Sequence, residues 1–154
     1  RIKFIERATL NINSCFALFK SLINAKLNEA MSVGINVEIT IFSEVDITSV
    51  PTLDLCRIIG NLLDNAVEAA SVSDNKVISL VMLKNDNQYS ITLCNGFSGE
   101  IDMSKIWKKG YSSKGKNRGQ GLPIVKKLID AHPEMLINTE IKNNLFVQDL
   151  TITK

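Results

Sequence analysis

The fold is most clearly indicated by the stretch Arg57-Ile58-Ile59-Gly60-Asn61-Leu62-Leu63-Asp64-Asn65-Ala66-Val67-Glu68-Ala69-Ala70. At about 100° per residue, its apolar side chains fall on one face of a helix and its polar side chains on the other. The polar face continues back to Asp54, so it carries two amides and three carboxylates in one stripe: Asp54, Arg57, Asn61, Asp64, Asn65 and Glu68. The segment predicts an amphipathic helix over 53–72, which Pro51 can begin and Thr52 can cap.

Two amides on this helix suggest a specific chemistry. Asn61 and Asn65 lie one turn apart, so both can reach one ion or its waters. An amide carbonyl is a neutral, hard oxygen that suits a Mg²⁺ ion sharing the phosphate oxygens of a nucleotide. For the stripe taken alone, the alternative interpretation is the solvated face of an ordinary helix.

A second informative segment runs Gly110-Tyr111-Ser112-Ser113-Lys114-Gly115-Lys116-Asn117-Arg118-Gly119-Gln120-Gly121-Leu122 and leads directly into a predicted helix. Closely spaced glycines let backbone N–H groups approach phosphate oxygens, and the start of a helix adds the favourable end of its dipole. Lys114 and Arg118 supply positive charge. The segment lacks the Gly-Lys-Ser/Thr ending of a Walker-type loop, and a mobile basic surface loop is the alternative.

The remaining segments predict an alternation of helices and strands around these two. A long helix over 4–31, stopped by Gly34, comes first. It is followed by a strand over 35–42, a hairpin over 76–83 and 89–94, a loop over 95–118 with a short helix at 103–107, a helix over 121–131, and a hairpin over 135–141 and 145–152 that turns at Asn143 and Asn144. This order predicts an α+β fold, a two-layer α/β sandwich with one mixed, mainly antiparallel sheet preceded by an N-terminal helix.

Composition limits the classes of function. With 154 residues, 45% hydrophobic and 22% charged, the chain has enough apolar material for one core. A net charge of +2 argues against a nucleic-acid partner. Cys15, Cys56 and Cys94 are far apart within apolar runs, which predicts buried, reduced thiols. No signal peptide or membrane-spanning run is evident, so we expect a cytoplasmic piece of a longer protein.

Together the two segments resemble the GHKL ATPase superfamily, specifically the ATP-binding catalytic domain of sensor histidine kinases. Residues 61–66 resemble the family's N box, and residues 119–122 resemble its second glycine box. The run from Gly110 to Leu122 is closest to the AgrC-like quorum-sensing kinases of Gram-positive bacteria. The resemblance covers roughly residues 51–154 and implies the Bergerat ATP-binding fold.

The resemblance also implies roles for particular residues. Asn65 would bind Mg and the triphosphate, with Asn61 supporting it, and these two are the expected catalytic residues. The expected ATP-binding residues are Asn61, Asn65, Asn95, Lys114, Arg118, Gly119, Gly121 and Leu122. ATP and Mg are the implied cofactors.

The adenine-binding box departs from the family pattern. Where the family has Asp-x-Gly-x-Gly, this chain reads Asn95-Gly96-Phe97-Ser98-Gly99, with Gly96 out of register and Phe97 at the first glycine position. Asn95 is the best candidate for the Asp position, because its carbonyl can still accept a bond from the adenine amino group. Glu68, where many of these kinases have Lys, is interpreted as a solvated acid, with a general base as the alternative.

The expected partners follow from the same resemblance. His132, the single histidine, precedes Pro133 at a helix end and is interpreted as a satisfied or exposed capping residue. The phosphoacceptor His must then lie upstream, with residues 1–33 as the tail of a dimerisation domain or its connector and residues 34–154 as the catalytic domain. We expect that dimerisation domain and a response regulator as partners, a homodimer of the full protein, and a membrane-bound parent.

Two other functions stay open at this point. One is a GHKL ATPase of another kind, such as an anti-sigma kinase that phosphorylates Ser. The other is a degenerate regulatory domain that binds a partner protein without nucleotide, for which the altered Asn95 box is the support.

Overall fold

The computed structural model describes residues 14–41, 47–111 and 121–154, with the side chains of residues 14–16 left out. Within these ranges, three helices and five strands follow one another along the chain. They are α1 (Ser14–Ser32), β1 (Asn36–Ile41), α2 (Thr52–Ser71), β2 (Val77–Lys84), β3 (Gln88–Gly96), α3 (Gly121–Asp130), β4 (Met135–Lys142) and β5 (Leu145–Thr153). The predicted α+β order is confirmed.

One five-stranded sheet has the order β1-β2-β3-β5-β4. β1 pairs with β2 in parallel, and the other three pairings are antiparallel, so the sheet is mixed and mainly antiparallel as expected. β5 lies between β3 and β4, which brings the last strand beside the one that precedes the glycine-rich segment. The helices cover one face of this sheet, and the core lies between the two layers.

Helix α2 is the central element of the helical layer. Its apolar face is buried as the sequence predicts, and includes Leu55, Ile58, Leu62 and Leu63. The residue that precedes the helix is Pro51, which makes no side-chain capping bond, so the prediction that Thr52 caps the helix is wrong. Thr52 is instead the first helical residue.

Helix α1 packs against α2 through Phe19, Ile23 and Leu27, all buried in the core. Ile35 N–H bonds to Ala30 O and Gly34 N–H bonds to Met31 O, at 3.1 Å each, and Gly34 has φ +83°. This pattern of two bonds around a left-handed glycine is a Schellman termination. The stop signal read at Gly34 is therefore confirmed.

Both hairpin turns lie where the sequence places them. Asn85 Oδ1 accepts bonds from the N–H groups of Asn87 and Gln88 at 3.0 and 2.9 Å, which closes the β2–β3 turn. Asn143 and Asn144 have φ values of +53° and +60°, the left-handed pair that a two-residue hairpin with the favoured twist requires. Asparagine tolerates this conformation better than other residues with a side chain, which explains both positions.

The short helix expected at 103–107 is wrong, because the structure has turns there. Asp102 Oδ1 accepts bonds from Ser104 N–H at 3.1 Å and from Ser104 Oγ at 2.6 Å. Such local bonds compete with helical ones, so the segment folds into turns instead. Within the described residues no helix is long and apolar enough to cross a membrane.

Candidate functional site

The two amides of the α2 stripe are half-buried and lie in the middle of the helix. Asn61 Nδ2 donates a bond of 2.7 Å to Arg57 O, one turn earlier on the same helix. Because this bond occupies the amide donor, Asn61 Oδ1 is left as the atom that faces away from the backbone. The local bond thus presents an oxygen at the site.

The beginning of α3 meets these amides. A Cβ atom added at Gly121 would lie 3.3 Å from Asn61 Oδ1, 3.4 Å from Asn65 Nδ2 and 3.5 Å from Asn65 Oδ1. A side chain at position 121 would crowd both amides, so glycine favours this close approach of the first turn of α3. The free N–H groups of a helix start and two side-chain amides therefore converge at one place, which is favourable for an anion.

Helices α2 and α3 run antiparallel, and a polar contact joins their other ends. His132 Nε2 lies 2.8 Å from Asp54 Oδ2, and both side chains are mostly buried. His132 follows the end of α3, and Asp54 lies in the first turn of α2. The interpretation of His132 as a satisfied residue at a helix end is confirmed, with Asp54 as its partner.

The other acids of the α2 stripe differ in their surroundings. Asp64 is exposed and accepts a bond of 2.5 Å from Lys26 of α1. Glu68 is half-buried one turn after Asn65 and has an interaction of its own. The Asp64 carboxylate is therefore held by α1, away from the Asn61 and Asn65 pair.

Asn95 lies at the end of β3, on the face of the sheet that the helices cover, and is 3% exposed. Its Nδ2 donates a bond of 2.9 Å to Gly96 O, so its Oδ1 is the atom left to accept a bond from a ligand. α2 packs on β3, so Asn95 lies on the sheet surface directly beneath the helical layer. A buried amide at this position is unusual in a sheet face that is mostly apolar.

The glycine of this box that is out of register, Gly96, has a structural role of its own. A Cβ atom at Gly96 would lie 1.8 Å from Asn75 O, in the turn that follows α2. The same junction is joined by bonds from Ser73 Oγ to Phe97 O and from Ser98 Oγ to Val72 O, at 3.2 and 2.9 Å. Gly96 therefore serves the close approach of two backbones, which the sequence alone did not reveal.

Three of the expected ATP-binding residues, Lys114, Arg118 and Gly119, lie outside the described residues. Leu122 is half-buried and packs against the core. The described structure thus brings together Asn61, Asn65 and Gly121. The roles of Lys114, Arg118 and Gly119 stay predictions.

Trp107 and Tyr111, near the start of the glycine-rich segment, make structural contacts. Trp107 packs against the core and lines a cavity of about 240 Å³ together with Ile129, His132 and Met135. The Tyr111 hydroxyl accepts a bond of 2.9 Å from Asp102 N–H. Both contacts fix the backbone that leads into the glycine-rich segment.

Within the described residues no group of three or more His, Cys, Asp or Glu side chains could hold a metal ion. Oxygen donors at the site come instead from amides. A hard cation that keeps several waters and shares a nucleotide's phosphates suits such a sparse set of protein ligands.

The chain matches known proteins in sequence and in structure. A model of the GHKL domain matches residues 50–153. The sensor protein CitS of Bacillus subtilis (strain 168) is 37% identical over 76 residues, which cover 47% of this chain and 14% of that protein. The chain therefore spans a small part of that relative's length.

Solved structures share the fold at low sequence identity. The nucleotide-free catalytic domain of the histidine kinase ThkA has a TM-score of 0.72 at 20% identity, over 97% of each chain. Full-length ShkA in complex with AMPPNP has a TM-score of 0.65 at 16% identity, over 96% of this chain and 31% of that one.

Proposed function

Because the chain belongs to the GHKL domain family, we propose that it is the ATP-binding catalytic domain of a two-component sensor histidine kinase. In this proposal it binds Mg-ATP and transfers the γ-phosphoryl group to a His on a dimerisation domain outside this sequence. The observation that carries the proposal is the convergence of Asn61, Asn65 and the start of α3 at Gly121.

The phosphate end of the site combines two kinds of attraction. The free N–H groups at the start of α3 and the dipole of that helix attract phosphate oxygens. Asn65, supported by Asn61, would hold Mg, which neutralises charge on the phosphates when it is bound. Lys114 and Arg118 are proposed to complete the charge balance, as fixed cations do in phosphoryl transfer generally.

The base end is proposed to lie at Asn95. Its Oδ1 is left to accept a bond from the adenine amino group, because its Nδ2 is bonded to Gly96 O. An amide carbonyl is a weaker acceptor than the carboxylate that the family usually has, since it carries no charge. Binding of ATP should therefore rest on further contacts as well.

The acceptor histidine is proposed to come from elsewhere in the parent protein. His132 is engaged with Asp54 at the end of the α2–α3 pair opposite to Gly121, so it is badly placed to receive a phosphoryl group. Residues 1–33 are proposed as the end of the dimerisation domain or its connector. A response regulator as phosphoryl recipient, a membrane-bound parent and an AgrC-like quorum-sensing subtype belong to the same proposal.

The name of one structural neighbour, ShkA in complex with AMPPNP, supports a nucleotide site in this fold. At 16% identity, the likeness to ShkA is one of fold. The CitS similarity supports the sensor-kinase class more directly, because 37% identity over 76 residues reflects related sequence.

Calorimetric titration of ATP, with and without Mg, tests the proposal on the 154-residue chain and on Asn65→Ala. We expect Mg-dependent binding that the substitution weakens at least about tenfold, about 1.4 kcal/mol. Asn138→Ala, which removes an exposed amide on β4, is the matched control and should bind ATP normally.

Other results would point to the other functions. Absence of binding at millimolar ATP in the unmodified chain would favour the degenerate regulatory domain. If ATP binds and the phosphoryl group passes to a Ser of a partner protein, the anti-sigma kinase type would replace the histidine kinase.

A further inference from the structure

Three polar side chains interrupt the helix-facing surface of the sheet. They are Asn95 on β3, Gln148 on β5 and Thr139 on β4. Apart from the exposed Lys84 at the rim, the other strand residues on this face are apolar or aromatic: Val37, Ile39, Ile41, Ile78, Leu80, Met82, Tyr89, Ile91, Leu93, Met135, Ile137, Ile141, Phe146, Leu150 and Ile152. The three polar residues therefore form a patch on the part of this surface that β3, β5 and β4 make up.

The strand register places Gln148 next to Asn95. Asn95 pairs with Phe146 and Leu93 pairs with Gln148, so Asn95 and Gln148 are diagonal neighbours on one face. Diagonal neighbours lie roughly 7–8 Å apart, within reach of long side chains. Thr139 is the direct partner of Gln148 on β4, which puts it one strand farther from Asn95.

Gln148 is 2% exposed, and its Nε2 has no hydrogen-bond partner in the described part of the chain. A buried donor without a partner is rare, because leaving it unpaired costs about 1–3 kcal/mol. An apolar side chain of the same size would avoid this cost. A polar group that the free protein leaves unpaired points to a ligand that pairs with it.

The two amides offer complementary atoms. Asn95 Nδ2 donates a bond to Gly96 O, which leaves Oδ1 as an acceptor, whereas Gln148 Nε2 is a donor without a partner in the described residues. Adenine presents an amino donor beside a ring-nitrogen acceptor, which matches this pair. Guanine has a carbonyl oxygen in place of the amino group, so it would set two acceptors against each other at Asn95.

The surroundings of the two amides are also suited to a purine. Phe146, the strand partner of Asn95, is buried but lies outside the main core cluster. Sites for small ligands are mostly apolar with a few placed polar groups. Since Asn95 and Gln148 are both nearly fully buried, the side chains that cover them must move aside to admit the base.

We propose that Gln148 is a specificity-determining residue that donates a hydrogen bond from Nε2 to an adenine ring nitrogen while Asn95 Oδ1 accepts from the amino group. This proposal rests on the proposed function, because it assigns a contact within the same nucleotide site. It also explains how an amide can replace the usual Asp at position 95. A second amide, Gln148, supplies another hydrogen bond, so adenine is recognised through two contacts.

Titration of Mg-ATP and Mg-GTP into the full chain and into Gln148→Met tests the proposal. Methionine keeps the size of the side chain and removes both polar groups. We expect about a tenfold loss of ATP affinity, the usual effect of one well-placed hydrogen bond, and less than about a threefold change for GTP. The midpoint of thermal unfolding without nucleotide should not fall, because the substitution removes a buried donor that has no partner.

Thr139→Val is the matched control. Thr139 Oγ1 is also buried without a partner, and valine has the same shape, but this residue lies a strand farther from Asn95. Its ATP affinity and its ATP-to-GTP ratio should equal those of the unmodified chain. An unchanged ratio in Gln148→Met, or an equal loss in Thr139→Val, would overturn the assignment of Gln148 while leaving ATP binding itself intact. Failure of the unmodified chain to bind ATP would overturn both proposals together.

Discussion

Gly121 stands directly against Asn61, since a Cβ atom at position 121 would lie 3.3 Å from Asn61 Oδ1. The neighbouring Asn65 amide is almost as close, at 3.4 Å. The absence of one side chain thus sets the distance between the start of α3 and the amides of α2. Gly121, at the start of α3, and the Asn-bearing helix α2 therefore meet at this contact.

Gly121→Ala should weaken Mg-ATP binding by about tenfold, because the added methyl group would displace the Asn61 and Asn65 amides from the positions that the proposed site needs. The stability of the folded chain should change little, because the helix propensity of alanine, about 1 kcal/mol better than that of glycine, offsets the cost of crowding. Calorimetric titration and urea unfolding measure the two quantities. Gly60→Ala is the control, since its Cβ would make an ordinary contact of 3.6 Å with Leu22. Equal ATP affinity in the two variants would contradict the prediction.

Gly96→Ala should destabilise the fold by about 3 kcal/mol, at the upper end of the usual cost of overpacking. The added Cβ would lie 1.8 Å from Asn75 O, and a backbone atom cannot turn aside as a side chain can. Gly99→Ala meets nothing within 4 Å, although its φ of +76° makes alanine unfavourable by about 1–2 kcal/mol. Urea unfolding should therefore give a lower free energy of unfolding for Gly96→Ala than for Gly99→Ala. The reverse order would refute the role of the close approach between Gly96 and Asn75.

The contact between Asp54 and His132 should stabilise the α2–α3 pair. A double-mutant cycle with Asp54→Ala and His132→Ala should give a coupling of about 1 kcal/mol in urea unfolding, because both groups are mostly buried. The exposed pair Lys126 and Asp130 on α3 is the comparison, and should couple by only about 0.3–0.5 kcal/mol. A smaller coupling for Asp54 and His132 than for that pair would argue against the contact.

The described thiols, Cys56 and Cys94, are half-buried, free and should react slowly with iodoacetamide at neutral pH. Burial raises the pKa of both, and the nearby Asp149 carboxylate raises the pKa of Cys94 further. A raised folded-state pKa contributes stability that is present below the unfolded pKa and is lost as pH rises through the folded value. Stability should thus decline in the alkaline range, as the pH rises above the ordinary pKa of a thiol.

Asp149→Asn separates the two causes. It should speed alkylation of Cys94 by removing the nearby negative charge, and leave Cys56 unchanged. Measured in a Cys15→Ser background, equal rates before and after the substitution would show that burial alone controls Cys94.

Local sequence patterns predicted the helices and strands, and they singled out Asn61, Asn65 and Gly121, which the structure brings together. The spacing of apolar residues predicted the buried face of α2, Gly34 predicted the end of α1, and Asn143 and Asn144 predicted the last turn. These features depend on neighbours in sequence, where helical period and left-handed backbone conformation act directly.

The features that the sequence did not reveal depend on distant segments. Asp54 and His132 lie 78 positions apart, and the closeness of Gly96 to Asn75 needs the relative position of a turn and a strand. Gln148 is flanked by alternating residues that predict only a strand. Its unpaired donor becomes visible once the register between β3 and β5 is known.

The position of β5 between β3 and β4 has a consequence for how the chain folds as it leaves the ribosome. β3 is an edge strand until β5 has been synthesised, some fifty residues after it. The part of the sheet around Asn95 therefore stays incomplete during that interval. Pairings over such sequence separations form slowly, and an unpaired strand edge invites aggregation in the meantime. A nascent chain stalled before β5 should therefore be a substrate for chaperones.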